Sequence, residues 1–195
     1  MQCCVLLEPK TEMNVMLRNA RALRKYQNGG TRMSEMERLR EVVRRLRAED
    51  GCPWDKVQTH VSLKPEVAEE AAEVICGINI LEETGKYENL REELGDLLLQ
   101  VVFHAQIAEE EGLFDLEDVA AEAAEKMLRR HPHVFQPEDP LHKEAPGTPE
   151  EVADSWEEIK KREKSGREWE KAWLPAAMLE TKELIDVARK RKGFL

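Results

Sequence analysis

Two short acidic runs, Glu69-Glu70-Ala71-Ala72-Glu73 and Glu92-Glu93-Leu94-Gly95-Asp96, decide how this chain is read. Each lies in a segment whose apolar residues recur at helical spacing. In an α-helix, residues three apart share a face, one turn along. Glu70 with Glu73, and Glu93 with Asp96, are therefore two carboxylate pairs, each pointing one way. Val67, Ala71, Val74, Ile78 and Leu81 form the apolar stripe of the first segment. Leu90, Leu94, Leu97, Leu98, Val101, Ala105 and Ala108 form that of the second. The carboxylates border these stripes and do not lie on the opposite, wet face. Half-buried like charges repel one another and lose hydration, so four together require a cation. Hard oxygen ligands in this number suit Mg²⁺ or Mn²⁺. Either pair alone would be an ordinary solvated acidic face. Two pairs on consecutive antiparallel helices point to a metal site.

The antiparallel arrangement follows from the connection. Pro65 suits the first turn of a helix running to about Glu82, Thr84-Gly85-Lys86 is a turn, and a third helix runs from about Tyr87 to Glu111. A short turn between long helices makes a hairpin, which brings the two acidic faces together. Gly77 lies one turn beyond Glu73; it is either a tolerated glycine or a place where the helices approach closely.

Composition agrees with an all-α protein. Of 195 residues, 36% are charged and only 5% are aromatic, which favours helices over sheet. The length suits one domain with arms. The formal net charge of −10 disfavours non-specific contact with nucleic acid or an anionic membrane. Cys3, Cys4, Cys52 and Cys76 have no CxxC spacing, so reduced thiols and a cytoplasmic setting are expected. The apolar start, Met1 to Leu7, is too short for a signal peptide or a membrane span.

The remaining segments flank the hairpin. Residues 1–32 are poorly patterned, with a joint at Asn28-Gly29-Gly30, and read as a flexible N-terminal extension. Ser34 and Glu37 form a capping box for a first helix through about Ala48. Gly51-Cys52-Pro53-Trp54-Asp55 is a compact loop whose Trp54 either seals the core or, with Asp55, lines a pocket. Asp115 caps a fourth helix, Leu116 to about Arg130; its pair Glu122 and Glu125 reads as a solvated face. Lys126 and Arg130 share a face there and either answer the helix dipole or grip phosphate oxygens. Residues 136–149 form a proline-rich loop. Thr148, Pro149 and Glu151 start a fifth helix, on which Trp156 and Lys160 are four apart. Those two either pack on one another or stack on a base and touch phosphate. Gly166 ends that helix. A last amphipathic helix, from Pro175 to about Lys192, follows in a C-terminal tail, 166–195.

These residues together resemble the MazG family of nucleoside triphosphate pyrophosphohydrolases, within the all-α NTP pyrophosphatase superfamily. The matching motifs are Gly51-Cys52-Pro53-Trp54-Asp55, Gln58-Thr59-His60, Glu69-Glu70-x-x-Glu73 and Glu93-x-x-Asp96. Leu97 through His104, Arg129-Arg130-His131-Pro132-His133-Val134-Phe135 and Trp156-x-x-Ile159-Lys160 also match. The resemblance covers about residues 34–162 and implies a catalytic domain at 33–165, an antiparallel helical bundle completed by dimerisation. It implies hydrolysis of an NTP or dNTP to the monophosphate and pyrophosphate, and suggests a nucleotide-pool housecleaning role. By motif position Glu70, Glu73, Glu93 and Asp96 would hold Mg²⁺, and either Glu69 or Glu73 would orient the water. Lys126, Arg129 and Arg130 would hold phosphates, and Trp156 with Lys160 would contact the nucleotide. Arg91 and Glu92 would border the same pocket. Where some relatives carry basic residues one turn before each acidic motif, this chain has Glu66 and Asn89.

A narrower pyrophosphohydrolase of the same superfamily, acting on dUTP, dCTP or phosphoribosyl-ATP, is an alternative. So is a non-catalytic helical interaction protein. A ferritin-like di-iron protein would carry Glu-x-x-His pairs, and the chain has none.

Overall fold

The computed structural model describes residues 33–135 and 147–194. The expected extension 1–32 and most of the proline-rich loop lie outside the described residues. The chain divides into two compact units, Met1–Val42 and Val43–Leu195. Of the first unit, the described part is the start of helix α1 (Glu35–Arg47). There the Ser34 N–H donates to the Glu37 carboxylate at 2.6 Å, and the Glu37 N–H to the Ser34 hydroxyl at 3.1 Å. This is the capping box read from the sequence.

The second unit holds the end of α1 and helices α2 (Lys64–Thr84), α3 (Glu88–Glu110), α4 (Leu116–Arg130), α5 (Pro132–Phe135), α6 (Pro149–Glu163) and α7 (Leu174–Arg191). Among the described residues there is no strand, so the chain is all-α. Local signals set the ends. Pro65 stands in the first turn of α2, and Gly85 closes that helix at φ +72°, where a side chain would be strained. Its N–H donates to the Leu81 carbonyl at 2.8 Å. Asp115 and Asp118 exchange hydrogen bonds at the start of α4, and the Thr148 hydroxyl accepts from the Glu151 N–H at the start of α6. No helix among the described residues is long and apolar enough to cross a membrane.

Helices α2 and α3 form the expected hairpin. Gly77 explains its tightness: a Cβ there would lie 2.8 Å from the Leu90 Cα. The glycine is a close-approach residue, not a tolerated one. The core sits toward the far end of α3, where Val102, Phe103, Ala105, Ile107 and Ala108 are buried with Val43, Leu63, Ala68 and Leu116.

The acidic end is different. Ile78 is 49% exposed and Leu94 50%, and Ala71, Leu81 and Val101 are also exposed. These residues belong to the stripes predicted to be apolar faces, and the described residues do not cover them. A two-helix hairpin buries one flank of each helix, and here close packing at Gly77 leaves the other flank bare.

One residue locks the core end. The Arg47 side chain, 6% exposed, meets the Glu110 carboxylate at 2.7 and 3.0 Å. It also donates to the carbonyls of Asp55 (2.8 Å) and Gln58 (3.0 Å). Arg47 thus ties α1, the loop after it and the end of α3 together. Gly51 lets that loop fold back; a Cβ there would stand 2.3 Å from the Leu46 carbonyl oxygen. The tail is also integrated: α7 packs on α2 within the second unit, and Lys64 meets Glu180 at 2.9 Å.

Candidate metal centre

Glu70 on α2 and Glu93 and Asp96 on α3 each offer a carboxylate oxygen, and these three atoms lie within 4.8 Å of one another. All three residues are half-buried. The hairpin turn and the three-residue spacing bring them there. Their electrostatics are those of an unanswered group. Burial, then the charges of Glu73 and Asp96, raise the Glu70 pKa to about 7. Burial and the Glu73 charge also raise that of Glu93, although Asn89 donates to Glu93 at 2.7 Å and opposes the shift. An all-oxygen, multiply negative donor set of this kind fits a hard divalent cation.

The other two carboxylates of the first acidic run are answered by α7. The Glu69 carboxylate is buried and bonds both Arg191 and Lys192, the latter at 2.9 Å. Glu73, one turn from Glu70 on the same face of α2, pairs with Lys192.

The predicted cationic residues gather elsewhere. Arg130 pairs with Glu163 through two bonds of 2.9 and 2.7 Å, and Arg129 reaches the same carboxylate at 3.2 Å. The Arg130 guanidinium also lies 5.0 Å from the Trp156 ring centroid, and the His131 ring meets that indole edge-on at 5.0 Å. Lys126 stands 3.8 Å from Glu122, and Lys160 bonds Glu157 at 3.0 Å. So α4 and α6 join Lys126, Arg129, Arg130, Trp156 and Lys160 into one basic and aromatic patch. Among the described residues, none of its hydrogen bonds, ion pairs or ring contacts reaches the carboxylate triad. Arg91 is exposed over the Tyr87 ring at 5.9 Å, and Glu92 is exposed beside Glu93. Trp54 is 58% exposed and does not seal the core. Asp55 serves through its backbone carbonyl, on Arg47.

A family model described as the MazG nucleotide pyrophosphohydrolase domain matches residues 58–135. That span holds both acidic runs and ends on the histidine-rich run. The nucleoside triphosphate pyrophosphohydrolase/pyrophosphatase MazG of Thermotoga maritima is 46% identical over 128 residues, 66% of this chain and 45% of that protein. The nucleoside triphosphate pyrophosphohydrolase of Escherichia coli K12 is 43% identical over 134 residues, 68% of this chain and 47% of the relative. The YabN protein of Bacillus subtilis is 46% identical over 134 residues, 69% of this chain and 25% of the relative. The chain carries a MazG-family domain. It spans between a quarter and about half the length of these relatives.

The MazG match contains the carboxylate triad, Lys126 and Arg130, while Trp54, Asp55, Trp156, Lys160 and all of α7 lie outside it. Inside it His60 and His104 stack with ring centroids 5.0 Å apart and Nδ1 atoms 2.7 Å apart; burial and His60 lower the His104 pKa. His60 is therefore a structural hydrogen-bonder. Sequence reasoning missed Arg47, Glu163, Arg191 and Lys192. The last two stand at a helix end, where the dipole alone accounts for basic residues. Glu163 follows Trp156 by seven residues, two turns along the same face of α6, and that spacing could have found it.

Proposed function

We propose that this chain is a divalent-metal-dependent nucleoside triphosphate pyrophosphohydrolase, releasing a monophosphate and pyrophosphate by attack of water at the α-phosphorus. The observation that carries this reading is the triad Glu70, Glu93 and Asp96 within a MazG domain, its charge unanswered by any described cation. Mg²⁺ or Mn²⁺ held there, with Glu73 as a fourth ligand, would supply positive charge for the phosphate oxygens.

The chain's own residues do the rest. Glu69 or Glu73 accepts a proton from the attacking water and aims its lone pair. Lys126, Arg129 and Arg130 add positive charge toward the departing pyrophosphate. Trp156 offers an aromatic face and Lys160 a cation to the nucleotide. Arg91 and Glu92 border the pocket, with Trp54 and Asp55 in the loop beside it. Because the basic patch and the triad are not in contact among the described residues, the substrate itself, or a second copy of the chain, bridges them. A homodimer also accounts for the half-exposed Ile78 and Leu94 on the hairpin's open flank. The likeness to relatives named as NTP pyrophosphohydrolases supports the substrate class; pool housecleaning and a cytoplasmic setting accompany this reading.

A pyrophosphate-release assay over NTPs and dNTPs, with and without Mg²⁺, tests it. Metal-dependent release from at least one substrate is expected. No turnover on any of them, with metal bound, would favour a helical interaction protein.

A further inference from the structure

Of the six carboxylates in the two acidic runs, three form the triad, Glu92 is exposed, and two are held from the end of α7. The Lys192 ammonium touches both of those, at 2.9 Å from Glu69 Oε1 and in direct contact with Glu73. The two partners differ in strength. Glu69 is deeply placed, with a side chain 11% exposed, and keeps Arg191 as a second cation. Glu73 and Lys192 are 33% and 34% exposed, so solvent screens their pair and reaches it readily. Glu73 also lies one turn along α2 from Glu70, on the same face of the helix. It thus stands between the triad and the end of α7. The helix is anchored elsewhere by Lys64 on Glu180. Between α2 and α7 lies a cavity of about 220 Å³, with Ala72, Cys76, Ile185 and Ala188 along its apolar walls. The Lys64–Glu180 pair and the packing of α7 along α2 keep the helix in place when its last turn lets go.

We infer that Lys192 is a tethered counter-ion competing with the metal for Glu73, so that α7 weakens metal binding and metal binding loosens the end of α7. The inference rests on the metal centre proposed above. The Lys192 ammonium holds one oxygen of Glu73, and its positive charge repels a cation bound to the same carboxylate, so each weakens the other. The coupling is reciprocal by linkage: whatever factor Lys192 costs the metal, the metal costs the Lys192 contact. Glu69 stays with Arg191 throughout, which holds it near the site without making it a ligand.

The test is a calorimetric titration of the full chain with Mn²⁺ in the absence of nucleotide. Lys192→Gln is expected to bind Mn²⁺ about fivefold more tightly or better. Lys190→Gln removes the same charge from an exposed neighbour that touches neither Glu69 nor Glu73, and should change affinity less than about twofold. In a Glu73→Gln background, Lys192→Gln should have no effect. Saturating Mn²⁺ should speed amide hydrogen exchange over residues 185–192 of the unsubstituted chain. Equal effects of the two lysine substitutions would reduce the contact to bulk charge and overturn the competition. So would weaker binding in Lys192→Gln, or unchanged exchange in α7. An unsubstituted chain that binds no Mn²⁺ would remove the metal centre and the competition together, whereas metal binding with any of the other contrary results removes the competition alone.

Discussion

Glu110 and Glu70 sit on the same hairpin, and their surroundings are opposite. Glu110 ends α3 beside the core, and Arg47 grips it through two nitrogens. Hydrogen bonds from Arg47 hold its carboxyl below the usual carboxylate range. Glu70 lies at the other end, and its nearest charged neighbours are carboxylates; burial pushes it up to about 7. Both groups lose water. One was given a cation by the fold and stabilises the structure, while the other has none among the described residues and destabilises it. The contrast separates a carboxylate that builds this molecule from those proposed to hold its metal.

Breaking each side should give different losses. Glu70→Gln or Asp96→Asn should lower pyrophosphate release by about a thousandfold or more. Helicity should be unchanged and the melting temperature of the metal-free chain equal or higher, because a repulsive charge is gone. Substantial retained turnover would refute the ligand assignment. Arg47→Ala should cost about 3 kcal/mol in chemical denaturation, since it orphans Glu110 and two loop carbonyls. Mn²⁺ affinity of the folded fraction should stay within about twofold. Gly77→Ala should cost about 2 kcal/mol by pushing α2 off Leu90, readable in the same denaturation series. Trp156→Ala should raise KM more than it lowers kcat; an unchanged KM would remove the nucleotide contact.

The smallest effect is in pH, and its sign distinguishes the two groups. Glu110 has a lowered folded pKa, so its contribution is present above the unfolded value near 4.5 and disappears as pH falls through the folded value. Glu70 has a raised one, so between about 4.5 and 7 the folded chain binds the extra proton. Its penalty is absent at the bottom of that window and complete above about 7. Metal-free stability should therefore fall as pH rises through this window, and added Mn²⁺ should reverse the slope, because the metal displaces that proton. Melting curves at several pH values, with and without Mn²⁺, report both signs.

Much of this contrast was legible in the sequence. The hairpin, the caps at Ser34, Asp115 and Thr148 and the turn at Gly85 follow from residues within a few positions of one another, and the hairpin brings together Glu70, Glu93 and Asp96, three of the four carboxylates expected as ligands. The family motifs added the reading of the acidic face as a pyrophosphohydrolase centre. The partners of the answered carboxylates were not legible. Arg47 and Glu110 are 63 residues apart and Lys192 and Glu73 are 119 apart, and helical periodicity carries no information about which distant cation meets which acid. The stripes were read as buried, yet Ile78 and Leu94 are half-exposed, because periodicity marks an apolar face without saying which chain covers it. Similarly, Lys126 and Arg130 share a face as expected, but their acidic partners Glu122 and Glu163 could not be ranked against a phosphate from spacing alone.

The most direct test of the central claim is the anomalous scattering of Mn²⁺ in crystals of the full chain. A peak bonded to oxygens of Glu70, Glu93 and Asp96 is predicted. A peak elsewhere, or none at these three carboxylates at saturating Mn²⁺, would contradict it.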